Sequence, residues 1–380
     1  MRGGVFTSQR KEWTMYAYRP VAGSRKEDID TPALLLDRNR LRGNIETMAT
    51  LIGGMPADLR PHCKTHKSVE IARMQMAAGA VGITCAKVGE AEALVDGGIG
   101  DVLISSPIVG PIKLERLTAL ARRCAVATVV DDVDNVRALS AAAGKARVKI
   151  RCLVEIDVGM GRCGVGSADA AVSLAREVYA RPGLIFGGFQ AYEGHLRNLL
   201  PLSERERRVA VDLRIALEAK ELAEKAGMLV ETITGGSTGT YMFTGRIPWM
   251  SEVQAGSYAT MDVKYRSVGI TAFSCALTVL TTVVSRVNKG RAVVDAGLKA
   301  VTPEFGPPDV LVPGARFGEF TEEQGEILLE GGAPELRVGD KIELIPSHGC
   351  TTINLYDYFH VLEDDHLVDV WPVSGRGRSQ

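Results

Sequence analysis

A repeated alternation of strand-like and helix-like runs constrains the fold of this chain more than any other feature. Eight short apolar runs are separated by amphipathic stretches within roughly 200 residues, a typical length for a barrel. The strand-like runs lie at 59–64, 81–86, 101–106, 126–132, 148–157, 187–192, 232–235 and 253–257, and the charged run 204–225 is the predicted helix between the sixth and the seventh. Eight parallel strands with intervening helices predict a (β/α)8 barrel of the TIM type. A doubly wound open sheet is the alternative, because strand count alone does not establish closure.

The regions on either side of this alternation have a different pattern. Residues 1–30 are polar and irregular, which predicts an N-terminal arm, and 33–37 is a buried-strand run followed by a helical pattern over 38–52. After about residue 266 the strand-like runs 273–287, 291–296, 341–347 and 356–373 follow one another without a convincing helix. The predicted organisation is therefore an arm at 1–30, a barrel at 38–265, and a mostly β domain formed by 31–37 plus 266–380.

Composition excludes several classes of function. The formal net charge of the 380 residues is -1 and no block of like charges stands out, so neither a nucleic-acid surface nor a membrane-binding patch is expected. No apolar run reaches the ~18 residues needed to span a bilayer, and residues 1–19 lack the apolar core of a signal peptide. The seven cysteines are scattered, unlike a disulfide framework. We therefore expect a cytoplasmic protein with reduced thiols that acts on a small molecule.

A lysine stands where the first barrel strand ends. The motif RPHCKTHK at 60–67 places Lys64 at the carboxyl end of that strand, the end at which barrel enzymes keep their chemistry. A partly desolvated lysine amine could hold pyridoxal phosphate as a Schiff base. The alternative is that Lys64 and Lys67 are two solvated charges at a helix start.

Loops after later strands offer groups that could bind such a cofactor. The glycine-rich run 157–164 contains Arg162, which can donate two parallel hydrogen bonds to an oxyanion, although a surface turn is the alternative. Alternation along the sixth strand puts Gln190 and Tyr192 on one side, towards the barrel mouth or a polar core. Two glycine and hydroxyl clusters follow the seventh and eighth strands, where barrels bind phosphate. Their candidate phosphate-binding residues are Gly236, Ser237, Thr238, Gly239, Gly256, Ser257 and Tyr258.

The β domain contains a candidate metal site. In the string PSHGCTTINLYD at 346–357, an extended backbone would point His348 and Cys350 to one face, where imidazole and thiolate could bind one ion. Two ligands leave the site open for water and substrate oxygens, as a Lewis-acid role requires. A chance His-x-Cys spacing is the alternative.

Seven motifs together resemble those of the D-threonine aldolase and D-serine dehydratase family, the metal-dependent branch of the alanine racemase-like, fold-type III pyridoxal phosphate enzymes. The motifs are RPHCKTHK at 60–67, VEIDVGMGRCGV at 154–165, GFQAY at 188–192, TITGGSTG at 232–239, QAGSYATMD at 254–262, VVDAGLKA at 293–300 and PSHGCTTINLYD at 346–357. The resemblance implies a homodimer acting on D-amino acids that carry a β-hydroxyl group. It implies that Lys64 forms the Schiff base, that Arg162 contacts the pyridoxal hydroxyl oxygen, and that His348 and Cys350 ligate a divalent metal.

Two positions depart from the aldolase pattern that we expect. Cys350 stands where the aldolases typically have aspartate and the D-serine dehydratases have cysteine. A thiolate beside imidazole shifts the preference towards zinc and away from manganese or magnesium, and cobalt is a further possible ion. Glu193 follows Tyr192 where we expect a histidine, so a carboxylate near the substrate could alter the accepted β-substituent. The preferred function is aldol cleavage to glycine and an aldehyde, with D-serine or D-3-hydroxyamino acid dehydration as the alternative. A racemase or a non-catalytic pyridoxal phosphate carrier is a more distant alternative, since the first is expected to use a partner tyrosine and the second to lack the β domain.

Overall fold

The secondary structure alternates through the first two thirds of the chain and is mostly β in the last third, in a computed structural model that describes residues 21–380. The strands are β1 (Ala33–Asp37), β2 (Asp58–Leu59), β3 (Ile83–Cys85), β4 (Asp101–Ile104), β5 (Ala125–Val130), β6 (Ile150–Glu155), β7 (Leu184–Ala191), β8 (Thr232–Gly235), β9 (Glu252–Val253), β10 (Leu277–Asn288), β11 (Arg291–Val294), β12 (Asp309–Val310), β13 (Ala315–Phe320), β14 (Gly325–Leu329), β15 (Lys341–Ile345), β16 (Tyr358–Glu363) and β17 (His366–Pro372). The helices are α1 (Arg38–Gly53), α2 (Val69–Ala77), α3 (Val88–Asp96), α4 (Pro111–Leu120), α5 (Val133–Ala146), α6 (Ala168–Ala180), α7 (Leu202–Asp212), α8 (Arg214–Lys225), α9 (Tyr241–Thr244), α10 (Val263–Ser267) and α11 (Gly349–Ile353).

Eight parallel strands form one curled sheet in the order β2-β9-β8-β7-β6-β5-β4-β3. The segment after β2 hydrogen-bonds to β3 and so joins the two ends of this order: Thr84 N donates to Pro61 O at 2.9 Å, and Cys63 N donates to Thr84 O at 2.8 Å. The (β/α)8 prediction is confirmed and the open-sheet alternative is wrong. Every carboxyl end of a strand therefore faces the same mouth.

Local sequence signals explain how the helices of the barrel begin. Asp37, Ser68, Asp132 and Ser167 each accept a hydrogen bond from a backbone N–H in the first turn of α1, α2, α5 and α6. Such caps satisfy donors that a helix start leaves without a partner. The helical spacing of the 38–52 pattern also holds, since α1 buries Leu41, Ile45 and Met48 on one face.

The second sheet contains β13-β14-β11-β10-β1-β16-β17, with β15 and β12 branching from β10. β1 lies inside this sheet, antiparallel to β10 and parallel to β16, although the barrel separates them in sequence. This confirms a mostly β second unit. The predicted arm falls largely on residues 1–20, outside the described part of the chain, and Lys26–Asp28 forms a short 3-10 helix.

Several predicted boundaries are wrong. The 204–225 run forms two helices, α7 and α8, that break at Leu213. The 59–64 strand is shorter than predicted, since only Asp58–Leu59 forms regular strand, although the backbone stays hydrogen-bonded to the segments around β9 and β3 through Cys63. The 253–257 strand ends at Val253, and β12, β13 and β14 were not predicted. Within residues 21–380, no helix has the length and apolar character needed to cross a membrane.

Candidate active site

A cavity of about 450 Å³ lies at the carboxyl ends of the barrel strands, where they meet the β domain. It is lined by His62, Lys64, Thr65, Lys67, Ala86, Lys87, Glu90, Met160, Arg162, Tyr192, Arg197, Gly236, Ser237, Thr238, Gln254, Gly256, Ser257, Tyr265, Glu304, His348, Cys350, Thr351 and Ser379. A smaller cavity of about 200 Å³ lies among the amino ends of the strands, near Arg60 and Arg151. Barrel enzymes place their chemistry at the carboxyl ends, so the larger cavity is the candidate site.

The two lysines of the first loop have different surroundings. Lys67 Nζ forms an ion pair with Glu90 at 2.7 Å, and the Glu90 carboxylate is itself buried. Lys64 Nζ lies over the Tyr192 ring, 5.6 Å from its centroid. Of these two lysines, Lys64 is the one that has no carboxylate partner among residues 21–380, so its amine is available for a Schiff base.

His62 supports the turn that carries Lys64. Its Nδ1 accepts a hydrogen bond from Lys64 N at 3.2 Å, and its Nε2 lies 3.1 Å from Ser105 Oγ. Burial, followed by the charge of Lys64, lowers the pKa of His62 well below its ordinary value. A neutral ring with Nδ1 as the acceptor therefore holds the Lys64 backbone in place.

Tyr192 contacts both of the cationic side chains that the sequence singled out, Lys64 and Arg162. The Arg162 guanidinium carbon is 5.5 Å from the centroid of the Tyr192 ring that also contacts Lys64. Arg162 comes within 3.9 Å of the buried Glu155 carboxylate. Lys64, Arg162 and Tyr192 thus meet at one side of the cavity.

Gln190 lies one layer behind the cavity wall. It donates from Nε2 to Glu155 Oε2 at 2.7 Å and accepts at Oε1 from Gln254 Nε2 at 3.0 Å. Gln254 also donates to Thr234 Oγ1, and it is Gln254 that reaches the cavity. Burial raises the pKa of Glu155 to about 7, against the opposing effects of Arg162 and Gln190. Gln254, and not Gln190, therefore lines the cavity, while Gln190 lies in a buried polar network.

The two glycine clusters lie side by side and share hydrogen bonds. Tyr258 N donates to Thr238 Oγ1 at 3.0 Å, which ties the loop after β9 to the loop after β8. Gly236, Ser237, Thr238, Gly256 and Ser257 all line the cavity. The other two candidates do not: Gly239 packs so closely on the backbone of Arg197 that a Cβ would lie 2.3 Å from its carbonyl oxygen, and the buried Tyr258 hydroxyl accepts from Gln75.

Glu193 does not face the substrate region, so the expectation that it could alter the accepted β-substituent is wrong. Its side chain turns under the loop after β8, where Gly236 N donates to its Oε2 at 3.0 Å. His195 likewise points away and pairs through Nε2 with Asp212 at 2.9 Å.

The His348 and Cys350 side chains meet at the β-domain wall of the cavity, although not on an extended strand. His348 caps α11 with an extended backbone and Cys350 lies in the first turn of that helix. Asp262 holds the His348 ring and the start of α11 in place, because its Oδ2 accepts from His348 Nδ1 at 2.8 Å and from Gly349 N at 3.1 Å. With Nδ1 engaged by a carboxylate, the His348 ring keeps Nε2 for Cys350 or for a ligand in the cavity.

The charges of this pair reinforce one another. Burial alone lowers the pKa of His348, but hydrogen bonds to Asp262 and Cys350 outweigh it and raise that pKa to about 10. Burial raises the pKa of Cys350, yet His348, Thr65 and Lys64 lower it overall. Thr65 also connects the two halves of the site, since its Oγ1 lies 3.3 Å from Cys350 Sγ and 3.2 Å from Ser257 Oγ.

Sequence reasoning missed several residues of the site. Asp262 and Gln254 lie inside the motif QAGSYATMD, but nothing in one sequence distinguishes their side chains from packed polar groups. Thr65 adjoins Lys64, and a hydroxyl next to a lysine is a weak signal. Within residues 21–380 no group of three or more His, Cys, Asp or Glu side chains could hold a metal.

Comparison with protein families divides the chain at the junction that the fold shows. Residues 36–263 match the N-terminal domain of alanine racemase, and residues 276–362 match the putative serine dehydratase domain. The second match argues against a single-barrel cofactor carrier, which would lack this domain.

Individual relatives match over almost the whole chain. D-threonine aldolase of Arthrobacter sp is 40% identical over 93% of this chain and 94% of its own length. 3-Hydroxy-D-aspartate aldolase of Paracoccus denitrificans (strain Pd 1222) is 36% identical over 96% of each. The crystal structure of D-threonine aldolase from Filomicrobium marinum superposes with a TM-score of 0.91 at 38% identity, over 94% of this chain and 99% of the other. Dehydratases also match, at lower identity.

Proposed function

Because the chain belongs to the alanine racemase-like family of pyridoxal phosphate lyases that includes D-threonine aldolase, we propose that it cleaves D-amino acids bearing a β-hydroxyl group to glycine and an aldehyde. The observation that carries the proposal is that groups from three separate parts of the chain meet in one cavity. Lys64 from the barrel, the loops after β8 and β9, and the His348 and Cys350 pair from the β domain all line one cavity. An amine, a phosphate-binding surface and a candidate metal pair are the groups that such a cleavage needs.

The residues at the barrel side fit pyridoxal phosphate. Lys64 offers the amine, Arg162 a cation for the ring oxygen, and Tyr192 an aromatic ring that contacts both. Thr238 offers a hydroxyl hydrogen to a phosphate oxygen, because its oxygen already accepts from Tyr258 N. When bound, the cofactor supplies an electrophilic ring that accepts the electrons of the broken bond.

The residues at the β-domain side fit a divalent ion. His348 and Cys350 supply one nitrogen and one sulfur donor, a set that favours zinc, with manganese, magnesium or cobalt as alternatives. Asp262 fixes the ring nitrogen that faces away from the donor atom. When bound there, the ion supplies Lewis acidity to a substrate hydroxyl oxygen.

The protein groups divide the proton chemistry. Lys64 Nζ, next to Tyr192, takes or returns a proton on the barrel side of the substrate, and residues of the β domain hold the β-hydroxyl side.

A second candidate is dehydration to a keto acid and ammonia. The observation that favours it is Cys350, the residue that resemblance associates with the D-serine dehydratases. In that reaction Lys64 removes the α-proton and the β-hydroxyl group leaves, so the same side chains serve a different bond.

The test is a product assay with D-threonine, D-serine, D-phenylserine and L-threonine. We expect glycine from D-threonine and D-phenylserine, with little from the L-isomer. Pyruvate from D-serine at much higher efficiency than glycine from D-threonine would assign the protein to the dehydratases. The homodimer and the cytoplasmic location stay predictions, and light scattering of the purified protein tests the first.

A further inference from the structure

We propose that Glu193 is a positioning residue that sets the hydrogen-bond directions of the phosphate-binding loop, residues 235–240. The inference rests on the proposed pyridoxal phosphate site and assigns a role to a side chain that lines no part of the cavity.

Glu193 is fully buried and contacts this loop and the helix that follows it. Its Oε2 accepts from Gly236 N at 3.0 Å, and its Oε1 accepts from Thr240 Oγ1 at 2.7 Å and Thr244 Oγ1 at 2.5 Å. Burying a carboxylate is costly unless donors compensate it, and here three donors do so. All three belong to the chain segment that begins with the phosphate-binding loop.

An ionised carboxylate can only accept, so it fixes where each hydroxyl hydrogen points. The Thr240 hydroxyl donates its hydrogen to Glu193, so its oxygen is the acceptor for Ser237 N at 2.9 Å and for Ser237 Oγ at 3.1 Å. Ser237 Oγ in turn accepts from Gly239 N at 3.2 Å. One set of hydroxyl orientations therefore satisfies all of these hydrogen bonds.

One hydroxyl group of the loop outside this network faces the cavity. Thr238 is not part of this chain of contacts; its oxygen accepts from Tyr258 N, which leaves its hydroxyl hydrogen for a ligand. The loop holds this position tightly, since Gly236 has φ 78° and a Cβ on Gly235 would lie 2.1 Å from Ala191 O. Glu193 therefore preorganises the phosphate-binding loop from the buried side, away from the cavity.

Replacing Glu193 by glutamine removes this directionality with little change in shape. A glutamine amide has one accepting oxygen and one donating nitrogen, so either Gly236 N or the two threonine hydroxyls meet a donor instead of an acceptor. Thr244→Val is a milder version, because among residues 21–380 the Thr244 hydroxyl hydrogen-bonds to Glu193 alone.

The experiment measures the affinity of the cofactor-stripped full-length protein for pyridoxal phosphate and for pyridoxal, which lacks the phosphate. A general loss of structure weakens both ligands, whereas loss of the phosphate-binding surface weakens only the first. We expect Glu193→Gln to lower the ratio of the two affinities roughly tenfold or more, and Thr244→Val to lower it less.

A matched control lies in the β domain, where the Asp295 carboxylate also accepts from two threonine hydroxyls, Thr31 and Thr281, and from the backbone N of Thr282. Asp295→Asn should lower thermal stability and leave the ratio unchanged. An unchanged ratio in Glu193→Gln, or in Thr244→Val if the first variant does not fold, would overturn the inference while the wild type still prefers pyridoxal phosphate. A wild type that binds both ligands equally would overturn the cofactor proposal and this inference with it.

Discussion

Replacing Asp262 by asparagine should weaken metal binding without removing either proposed metal ligand. Asp262 Oδ2 accepts from His348 Nδ1 and Gly349 N, and its Oδ1 accepts from Tyr265 N at 2.9 Å. Three N–H donors thus meet two accepting oxygens, and an asparagine keeps only one of those oxygens. If the amide turns its oxygen away from His348, the Nδ1 hydrogen faces an NH2 group. If the oxygen stays, Tyr265 N faces that group and the His348 ring still loses the negative charge behind it.

The size of the effect follows from the bond to His348. A hydrogen bond to a charged group contributes about 1.5–3 kcal/mol, and the loss of a partner behind a metal-binding histidine typically costs about 10–100-fold in metal affinity. We expect a loss in that range for zinc, measured by competition with a chromophoric chelator on the cofactor-loaded protein.

The control for this variant is Asp132→Asn. Asp132 caps α5 by accepting from Asp134 N and Asn135 N and has no histidine partner, so its variant should bind metal as the wild type does. Wild-type zinc affinity in Asp262→Asn, with the cofactor retained, would refute the reasoning.

Three further predictions concern the cofactor lysine, the metal and a buried carboxylate. Lys64→Ala should lose both the yellow absorption and the borohydride-fixable attachment of the cofactor. Lys67→Ala should keep both, because the Lys67 amine pairs with Glu90 instead of facing the cofactor site. A fully active Lys64→Ala protein would contradict the assignment. Chelation with EDTA should abolish turnover and leave the cofactor band, and Cys350→Asp should raise the response to manganese because the donor set becomes harder; undiminished turnover in EDTA would contradict the metal role. Because burial raises the pKa of Glu155 from 4.5 to about 7, the folded state holds a proton that the unfolded state releases, and the unfolding free energy should fall by about 3 kcal/mol as pH rises from 4.5 to 7. Glu155→Gln should remove this slope in denaturant titrations at several pH values, and an unchanged slope would show that Glu155 does not carry the proton.

The sequence predicted the fold well where periodicity is strong. Eight apolar runs with helices between them needed no tertiary information to indicate a barrel, and 33–37 and 232–235 were placed to the residue. The hairpin of β13 and β14 was missed because β13 contains the charged residues Arg316 and Glu319, and β14 offers only three consecutive apolar residues. The break at Leu213 was missed because 204–225 has a continuous helical composition, and only packing divides it into α7 and α8.

The sequence predicted the loops that line the site, but not the side chains that hold those loops in place. Lys64 and the glycine clusters follow from position at the strand ends, which topology fixes. Topology does not fix the direction in which a side chain points. Tyr258 and Glu193 lie in the expected loops, yet Tyr258 hydrogen-bonds to Gln75 and Glu193 lies beneath the 235–240 loop. Asp262 acts across the junction of barrel and β domain, and its contact with His348 spans 86 residues of sequence.

The most direct test of the account is to quantify glycine and 2-oxobutanoate from the same reaction of D-threonine with the metal-loaded, cofactor-loaded protein. Cleavage between Cα and Cβ gives glycine and acetaldehyde in equal amounts, whereas loss of the β-hydroxyl gives 2-oxobutanoate and ammonia. The account predicts that glycine accounts for nearly all of the D-threonine consumed. A reaction that yields mainly 2-oxobutanoate would contradict the proposed aldol cleavage and leave the cavity as the site of a dehydratase.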